Sequence, residues 1–228
     1  MKAGKRSGVS FRQLYAASGV GAFYKAIGPR YINPQESNIH EVLKIICATW
    51  PIDLSHVLDL AAGSGEVTVL LQSLGYSNIE GSDPYTNILY ESRTRRRCMT
   101  YGFEDIARGQ FLADRYSVVI CSFALHLLAP SWLPGFLWGL QQITDTFLVV
   151  SPHKRPRISP EWGWTLVREK TRARVRTRLF LSGEVNSRQQ TGIKDASTSP
   201  LTTQYSPLTT HSFLPTEDQD FSASVNCS

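Results

Sequence analysis

His56-Val57-Leu58-Asp59-Leu60-Ala61-Ala62-Gly63-Ser64-Gly65-Glu66-Val67-Thr68 decides the fold. The first part is a short apolar run, read as a buried strand. It ends in a turn of small residues, and a helix follows from Glu66 to about Leu74, closed by Gly75. Working outward, Asn33-Pro34-Gln35-Glu36 is a helix start, and Ile39, Val42, Leu43, Ile45, Ile46 and Trp50 keep helical spacing up to Pro51. A second strand, Asn78–Asp83, leads through Pro84 into a helix ending near Arg93, and a weaker third strand lies near Cys98–Tyr101. Tyr116–Ser122 is β-branched and apolar in its middle, as a strand covered on both faces should be. A helix around Leu133–Gln142 separates it from a fifth strand, Thr146–Ser151. Alternating Val175, Thr177, Leu179 and Leu181 predict a sixth strand at an edge, Arg174–Leu181.

Strands alternating with helices give right-handed βαβ units. The expected class is therefore α/β, a doubly wound Rossmann-like sheet, mostly parallel, in which we find at most six strands and the last one missing. The expected organisation is a flexible basic segment over 1–30, one folded domain over 31–183 and a disordered tail over 184–228. The tail is rich in Ser and Thr and turns acidic, with Arg188 and Lys194 against Glu184, Asp195, Glu217, Asp218 and Asp220. The start is the reverse, with Lys2, Lys5, Arg6, Arg12, Lys25 and Arg30 and no acid before Glu36.

Length and composition bound the function. The 228 residues, 42% hydrophobic and 19% charged with formal net charge +5, suit one soluble domain with a real core. No apolar run reaches membrane-spanning length, so no membrane partner is expected. Cys47, Cys98, Cys121 and Cys227 are dispersed with no CxxC spacing, which predicts neither a disulfide scaffold nor a metal site. A reducing, cytoplasmic location is expected. The basic, Ser- and Ala-containing start keeps a mitochondrial address as the alternative.

A glycine pair between a strand and a helix sits where a doubly wound sheet binds a nucleotide, because a missing Cβ lets the backbone turn and approach the ligand. Asp83 follows Gly65 at the end of the next strand, placed to bind ribose hydroxyls. Loop, helix, strand and acid in one register are more specific than the glycines alone. A dinucleotide reading requires a third small residue where Thr68 stands, and gains nothing from Glu66 beside a diphosphate. An oxidoreductase is therefore the weakest alternative.

Val57 through Gly65 resembles motif I of the class I S-adenosylmethionine-dependent methyltransferases, with Ala61 where glycine is commoner. Gly102-Phe103-Glu104-Asp105-Ile106-Ala107 resembles the segment that flanks the adenine ring, and Tyr116–Leu127 resembles motif IV with Ser117 in place of a common Asp. The likeness spans roughly residues 30–182, and Asn33-Pro34, Ser82–Tyr85 and Pro152–Pro156 extend it to a group of methyltransferase-domain proteins without an assigned substrate. It implies S-adenosyl-L-methionine as cofactor, held by Asp59, Ala61, Gly63, Ser64, Gly65, Asp83, Pro84, Phe103, Glu104, Asp105, Ser122 and Phe123. Asp59 would lie near the cofactor's amino group and Asp83 at its ribose. The implied function is methyl transfer to a small-molecule acceptor; the alternatives are an RNA methyltransferase and an inactive binding or scaffold protein that keeps the fold.

His126, just after the fourth strand, is the candidate catalytic base, against a partly buried histidine bonded to backbone among leucines. Tyr24, Tyr31 and Asn33 are candidates to roof the pocket, against plain packing on the sheet. Cys121 is read as an apolar filler. Arginines cluster at Arg93–Arg97, at Lys154–Arg157 and from Arg168 to Arg178, which suits nucleic acid or a solvated face.

Overall fold

A computed structural model describes residues 33–110 and 115–183. The chain divides into two units, Met1–Ile193 and Lys194–Ser228, and the described residues all lie in the first. The segments 1–30 and 184–228, with Tyr24 and Tyr31, fall outside the described residues.

Helix α1 (Glu36–Thr49) turns Ile39, Val42, Leu43 and Ile46 inward. It stops at Trp50 because a residue before proline is pushed out of the helical region, and Trp50 is extended at φ −104, ψ 140. Strand β1 (Val57–Leu60) follows, then α2 (Glu66–Ser73), β2 (Ile79–Ser82), α3 (Asn87–Thr94), the two-residue β3 (Cys98–Met99) and α4 (Phe103–Ala107). The chain then crosses to β4 (Val118–Ser122), α5 (Leu133–Gln141) and β5 (Thr146–Ser151), and ends in a hairpin, β6 (Trp164–Arg172) and β7 (Val175–Ser182).

The strands form one sheet of seven in the order β3-β2-β1-β4-β5-β7-β6, parallel from β3 to β5 and antiparallel at β7 and β6. The expectation of at most six strands is corrected here: β6 is present, and β7 is the edge-like strand read from its alternation. β6 escaped notice because it is the true edge, with one buried residue, Trp164, and then Leu166, Val167, Arg168 and Glu169 in solvent. An extra residue between Leu166 and Arg168 also breaks its register. Charged side chains on such an edge discourage pairing with another chain.

Both faces are covered, as a doubly wound sheet requires. Ile39, Leu43 and Ile46 of α1 and Val67, Leu70 and Leu71 of α2 pack with Val118, Ile120, Leu148 and Val150 on one side. On the other, Phe103 and Ile106 of α4 and Phe136, Leu137 and Leu140 of α5 pack with Val119, Phe147 and Phe180. Trp164, wholly buried, donates its Nε1–H to the Leu137 carbonyl at 2.9 Å and so ties the hairpin to α5. The order runs outward from β1 to β3 and restarts at β4 on β1's other side. The carboxyl ends of β1 and β4 thus diverge into a crevice, where such sheets take ligands.

Candidate functional site

The turn after β1 is built on left-handed backbone: φ is +55 at Ala61, +58 at Gly63 and +85 at Gly65. Ala61 holds this conformation with a Cβ, at a cost on the order of 1 kcal/mol. At Gly65 the reason for glycine is space as well as φ, since a Cβ there would lie 2.5 Å from Thr94 Cγ2. Phe123, just past β4, is left-handed too at φ +55. The two β-strand ends that open the crevice therefore each carry a strained non-glycine residue.

A cleft of about 200 Å³ fills the crevice. Ala61, Ala62, Gly63, Glu66 and Val67 line it from the β1 turn, Asp83, Pro84 and Tyr85 from the β2 end, and Gly102, Phe103 and Glu104 from the start of α4. Ser122, Phe123, Ala124, Leu127 and Leu128 close the β4 side, and Asn33 reaches it from ahead of α1. Of the residues predicted from sequence, Asn33, Ala61, Gly63, Asp83, Pro84, Phe103, Glu104, Ser122 and Phe123 share this cleft.

Asp83 is held in place by the backbone. Its Oδ2 accepts from the Gly63 N–H at 3.0 Å, and its Oδ1 from Tyr85 N–H at 2.8 Å and Thr86 N–H at 2.9 Å. Thr86 returns a bond from its hydroxyl to the Gly63 carbonyl at 2.7 Å, locking the turns after β1 and β2 together.

The other predicted acid is placed elsewhere. Asp59 is 1% exposed and does not line the cleft; its Oδ2 accepts from the Thr68 N–H at 3.2 Å and the Thr68 hydroxyl at 2.8 Å, beneath α2. Burial pushes its carboxyl up to about 8 against the pull of the Thr68 bonds. The carboxylate that faces the cleft from this turn is Glu66, the first residue of α2. Burial pushes its pKa up, the Ser64 hydroxyl that donates to it pulls it down, and Arg93 Nη1 stands 3.8 Å away. Arg93 also pairs with Glu36 of α1, so this end of the site is closed by ions.

Three further predicted residues support the cleft without lining it. Ser64 is spent on Glu66, Gly65 packs against Thr94 and Tyr90, and Asp105 accepts from the Gly102 N–H at 2.8 Å, capping α4. His126 lies in a 3-10 turn, Leu125–Leu127, whose next residues Leu127 and Leu128 face the cleft while His126 does not. The backbone bond expected of it is absent: its Nδ1 is buried with no hydrogen-bond partner, and its ring stands edge-on to His153 at 4.7 Å. Burial and the neighbouring His153 push its pKa down to about 4, so it is neutral at pH 7. Cys121 is the expected filler: it is wholly buried and its thiol is pushed up to about 12.

Sequence reasoning missed Ala62, Glu66, Val67, Tyr85, Gly102, Ala124, Leu127 and Leu128 as lining residues. Glu66 had a signal, an acid at the first position of a helix that opens from a glycine turn. Leu127 and Leu128 had none, because an apolar pair after a buried strand reads as core.

The cleft has an apolar lining interrupted by Glu66, Asp83 and Glu104, and by the Ser122 Oγ, which is buried without a partner. It can hold an elongated, partly cationic molecule that brings its own donors to carboxylates. The sheet order and the cleft at its point of reversal define the class I S-adenosylmethionine-dependent methyltransferase fold. Magnesium protoporphyrin IX methyltransferase of Synechocystis PCC 6803, solved with bound SAM, matches with TM-score 0.51 at 15% identity, covering 78% of this chain and 100% of that one. A Pyrococcus horikoshii protein provisionally described as an RNA methyltransferase matches with TM-score 0.51 at 16% identity, over 68% of this chain and 89% of its own. No protein-family model matches the chain. The chain belongs to the family of an uncharacterized protein of Schizosaccharomyces pombe, 33% identical over an alignment of 197 residues that takes in 68% of this chain and 79% of the relative.

Proposed function

We propose that the protein is an S-adenosylmethionine-dependent methyltransferase acting on a small-molecule acceptor. The observation that carries this reading is the pair of carboxylates, Glu66 and Asp83, on a cleft whose floor is the left-handed Ala61–Gly63 backbone at the β1/β4 reversal. These residues fit the cofactor: Glu66 suits an ammonium, Asp83 a ribose diol, and Phe103 with Glu104 a purine bearing an exocyclic amine. Ser122 Oγ, a buried hydroxyl with no bond in the protein, has a partner to gain from a ligand. When bound, the cofactor would supply a methyl group on a sulfonium, to which an acceptor's lone pair can bond as the carbon–sulfur bond breaks and the thioether leaves with the electron pair.

The chain's own part is placement and exclusion of water. Phe103, Leu127 and Leu128 present hydrocarbon toward the interior of the cleft, and Asn33 bounds it on the α1 side. Asn33 is itself fixed, its Oδ1 accepting from the Gln35 N–H at 2.9 Å. His126, neutral at pH 7 with an unpartnered Nδ1, is the base we assign to an acceptor that must lose a proton, and the role requires its ring to turn toward the cleft, because as placed its Nδ1 is buried and it does not line the cleft. Its position beside the Leu127–Leu128 wall supports that assignment.

The scaffold alternative loses its sequence support, since it rested on a shortened carboxyl-terminal sheet and seven strands are present. An RNA acceptor has in its favour the exposed cations of all three basic clusters: Arg95, Arg96 and Arg97 after α3, Lys154, Arg155 and Arg157 after β5, and Arg168 and Arg172 on β6. RNA affinity falling steeply with salt would favour it. The deciding experiment is calorimetric titration with S-adenosylmethionine and with its demethylated product. Saturable binding of both is expected, and no heat with either abandons the reading.

A further inference from the structure

Arg178 lies on β7 and is 5% exposed. Its Nη1 donates to the Pro156 carbonyl at 2.9 Å, while Nε and Nη2 are buried with no hydrogen-bond partner. Phe180 lies beside the guanidinium, 5.8 Å from ring centroid to the central carbon, and offers no acceptor. The carboxylate in register with it, Glu169, is paired with Arg176. Nε–H and Nη2–H form the side-on edge of a guanidinium, two parallel donors that match the two oxygens of one carboxylate or phosphate. Leaving that edge bare inside a protein is unfavourable, because buried donors on a charged group need partners.

Arg178 does not itself line the cleft, but the sheet register relates it to the cleft's β4 side. It is in register with Val149 of β5, and Val149 with Cys121 of β4, whose next residues Ser122 and Phe123 line the cleft. Two strand spacings separate Arg178 from β4, roughly 10 Å, within the length of a modest metabolite. The loop that leaves β5 joins the two regions: its Pro156 carbonyl accepts from Arg178, and its His153 meets His126 beside the cleft wall. The same loop carries Lys154, Arg155 and Arg157, cations that draw anions toward it.

Resting on the methyl-transfer reading of the cleft, we propose that the acceptor is a small molecule bearing one compact oxyanion, a carboxylate or a phosphate, which the Nε–Nη2 edge of Arg178 holds while the acceptor reaches the Ser122–Phe123 end of the cleft. A single buried fork suits one oxyanion. A nucleic-acid backbone is instead tracked by exposed cations spread along a surface.

The test follows thermal unfolding of the full chain as inorganic phosphate or acetate replaces chloride at constant ionic strength. Wild type is expected to gain a saturable rise in Tm of a few degrees with at least one anion, and which one responds separates a phosphate from a carboxylate. R178Q should lose the rise, and R178K, which keeps the charge without the fork, should keep only a reduced one. A flat wild-type response, or an equal rise in R178Q and R178K, shows an adventitious ion only and overturns the proposal. A short RNA that stabilises wild type and R178Q alike overturns it in favour of a polyanion. If R178Q does not fold, the wild-type and R178K curves decide. Calorimetry with S-adenosylhomocysteine on the same samples separates the two ideas: cofactor binding without an anion response removes the subsite alone, and an anion response without cofactor binding removes the methyltransferase reading.

Discussion

Asp59 and Thr68 form a closed pair inside the first βα unit: both the amide and the hydroxyl of Thr68 donate to one oxygen of Asp59, and the Thr68 hydroxyl meets the Tyr90 hydroxyl at 2.9 Å. This makes Asp59 a strut between β1 and α2. Its carboxyl, pushed from its ordinary 3.8 up to about 8 first by burial, is protonated in the fold at neutral pH and ionised in the unfolded chain. Between those values the native state binds the extra proton, so stability falls as pH rises, by up to about 1.4 kcal/mol per pH unit. Asp59→Asn keeps the acceptor oxygen and removes the titration. Denaturant unfolding at pH 4, 6 and 8 should show the variant gaining on wild type as pH increases; parallel curves would mean that Asp59 is ionised in the fold.

Asp83 has the opposite role, since its oxygens both brace the turns and border the cleft. Asp83→Asn preserves an oxygen for the Tyr85 and Thr86 amides but puts an amide group against the Gly63 N–H. The loss of one charge-assisted bond and of the anion should weaken S-adenosylhomocysteine binding at least about tenfold. Calorimetry reads the affinity, and circular dichroism checks that the fold is kept. Undiminished affinity would remove Asp83 from the binding site.

Much of this was legible from residue order, and the reasons differ by element. Strands β1, β4 and β5 are short apolar runs bounded by turns, and burial on both faces makes such runs readable. The β6–β7 hairpin was half lost. Its connection, Ala173-Arg174, takes positive φ at both residues, 48 and 63, without the Asn or Gly that normally announces such a turn. In the site, Asp83 was legible because a strand end and a glycine turn fix where its side chain can go. Asp59 was misplaced because spacing cannot say which side of the turn a carboxylate faces; Thr68, one helical turn on, decides it. Arg178 read as one more member of a basic alternation, and only the sheet register shows that it points under a loop while Arg168 and Arg172 stay in solvent.

Gly81 on β2 is required by a neighbour. A Cβ there would stand 2.3 Å from Cζ of Tyr90, whose side chain is wholly buried against β2 and β3. Gly81→Ala must displace the ring and strain its bond to Thr68, costing about 1–3 kcal/mol. Substituting Tyr90→Leu in the same protein makes room, so the two changes should cost less together than the sum of each alone. Additive losses in urea midpoints would show that Gly81 is needed for some other reason.

His126 permits a test on stability that does not depend on knowing the acceptor. The ring is neutral in the fold because burial first, and His153 second, push its pKa from 6.5 down to about 4. The unfolded chain therefore takes up a proton at this residue on acidification before the native state does, and the fold loses stability as pH falls from 6.5 toward 4. The slope should be well under about 1.4 kcal/mol per pH unit, because water reaches part of the ring. His126→Leu removes both the titration and the unpartnered Nδ1, at a position flanked in the turn by Leu125 and Leu127. Its unfolding midpoint should equal or exceed that of wild type at pH 7 and pull further ahead at pH 5, while S-adenosylhomocysteine affinity is unchanged because His126 does not line the cleft. A variant that tracks wild type at both pH values would mean that the imidazole titrates alike in the folded and unfolded chain, and would overturn its burial as a neutral ring. If methyl transfer to a hydroxyl or protonated amine is later measured, the same variant should lose kcat with little change in cofactor KM, a split that a merely structural leucine neighbour would not produce.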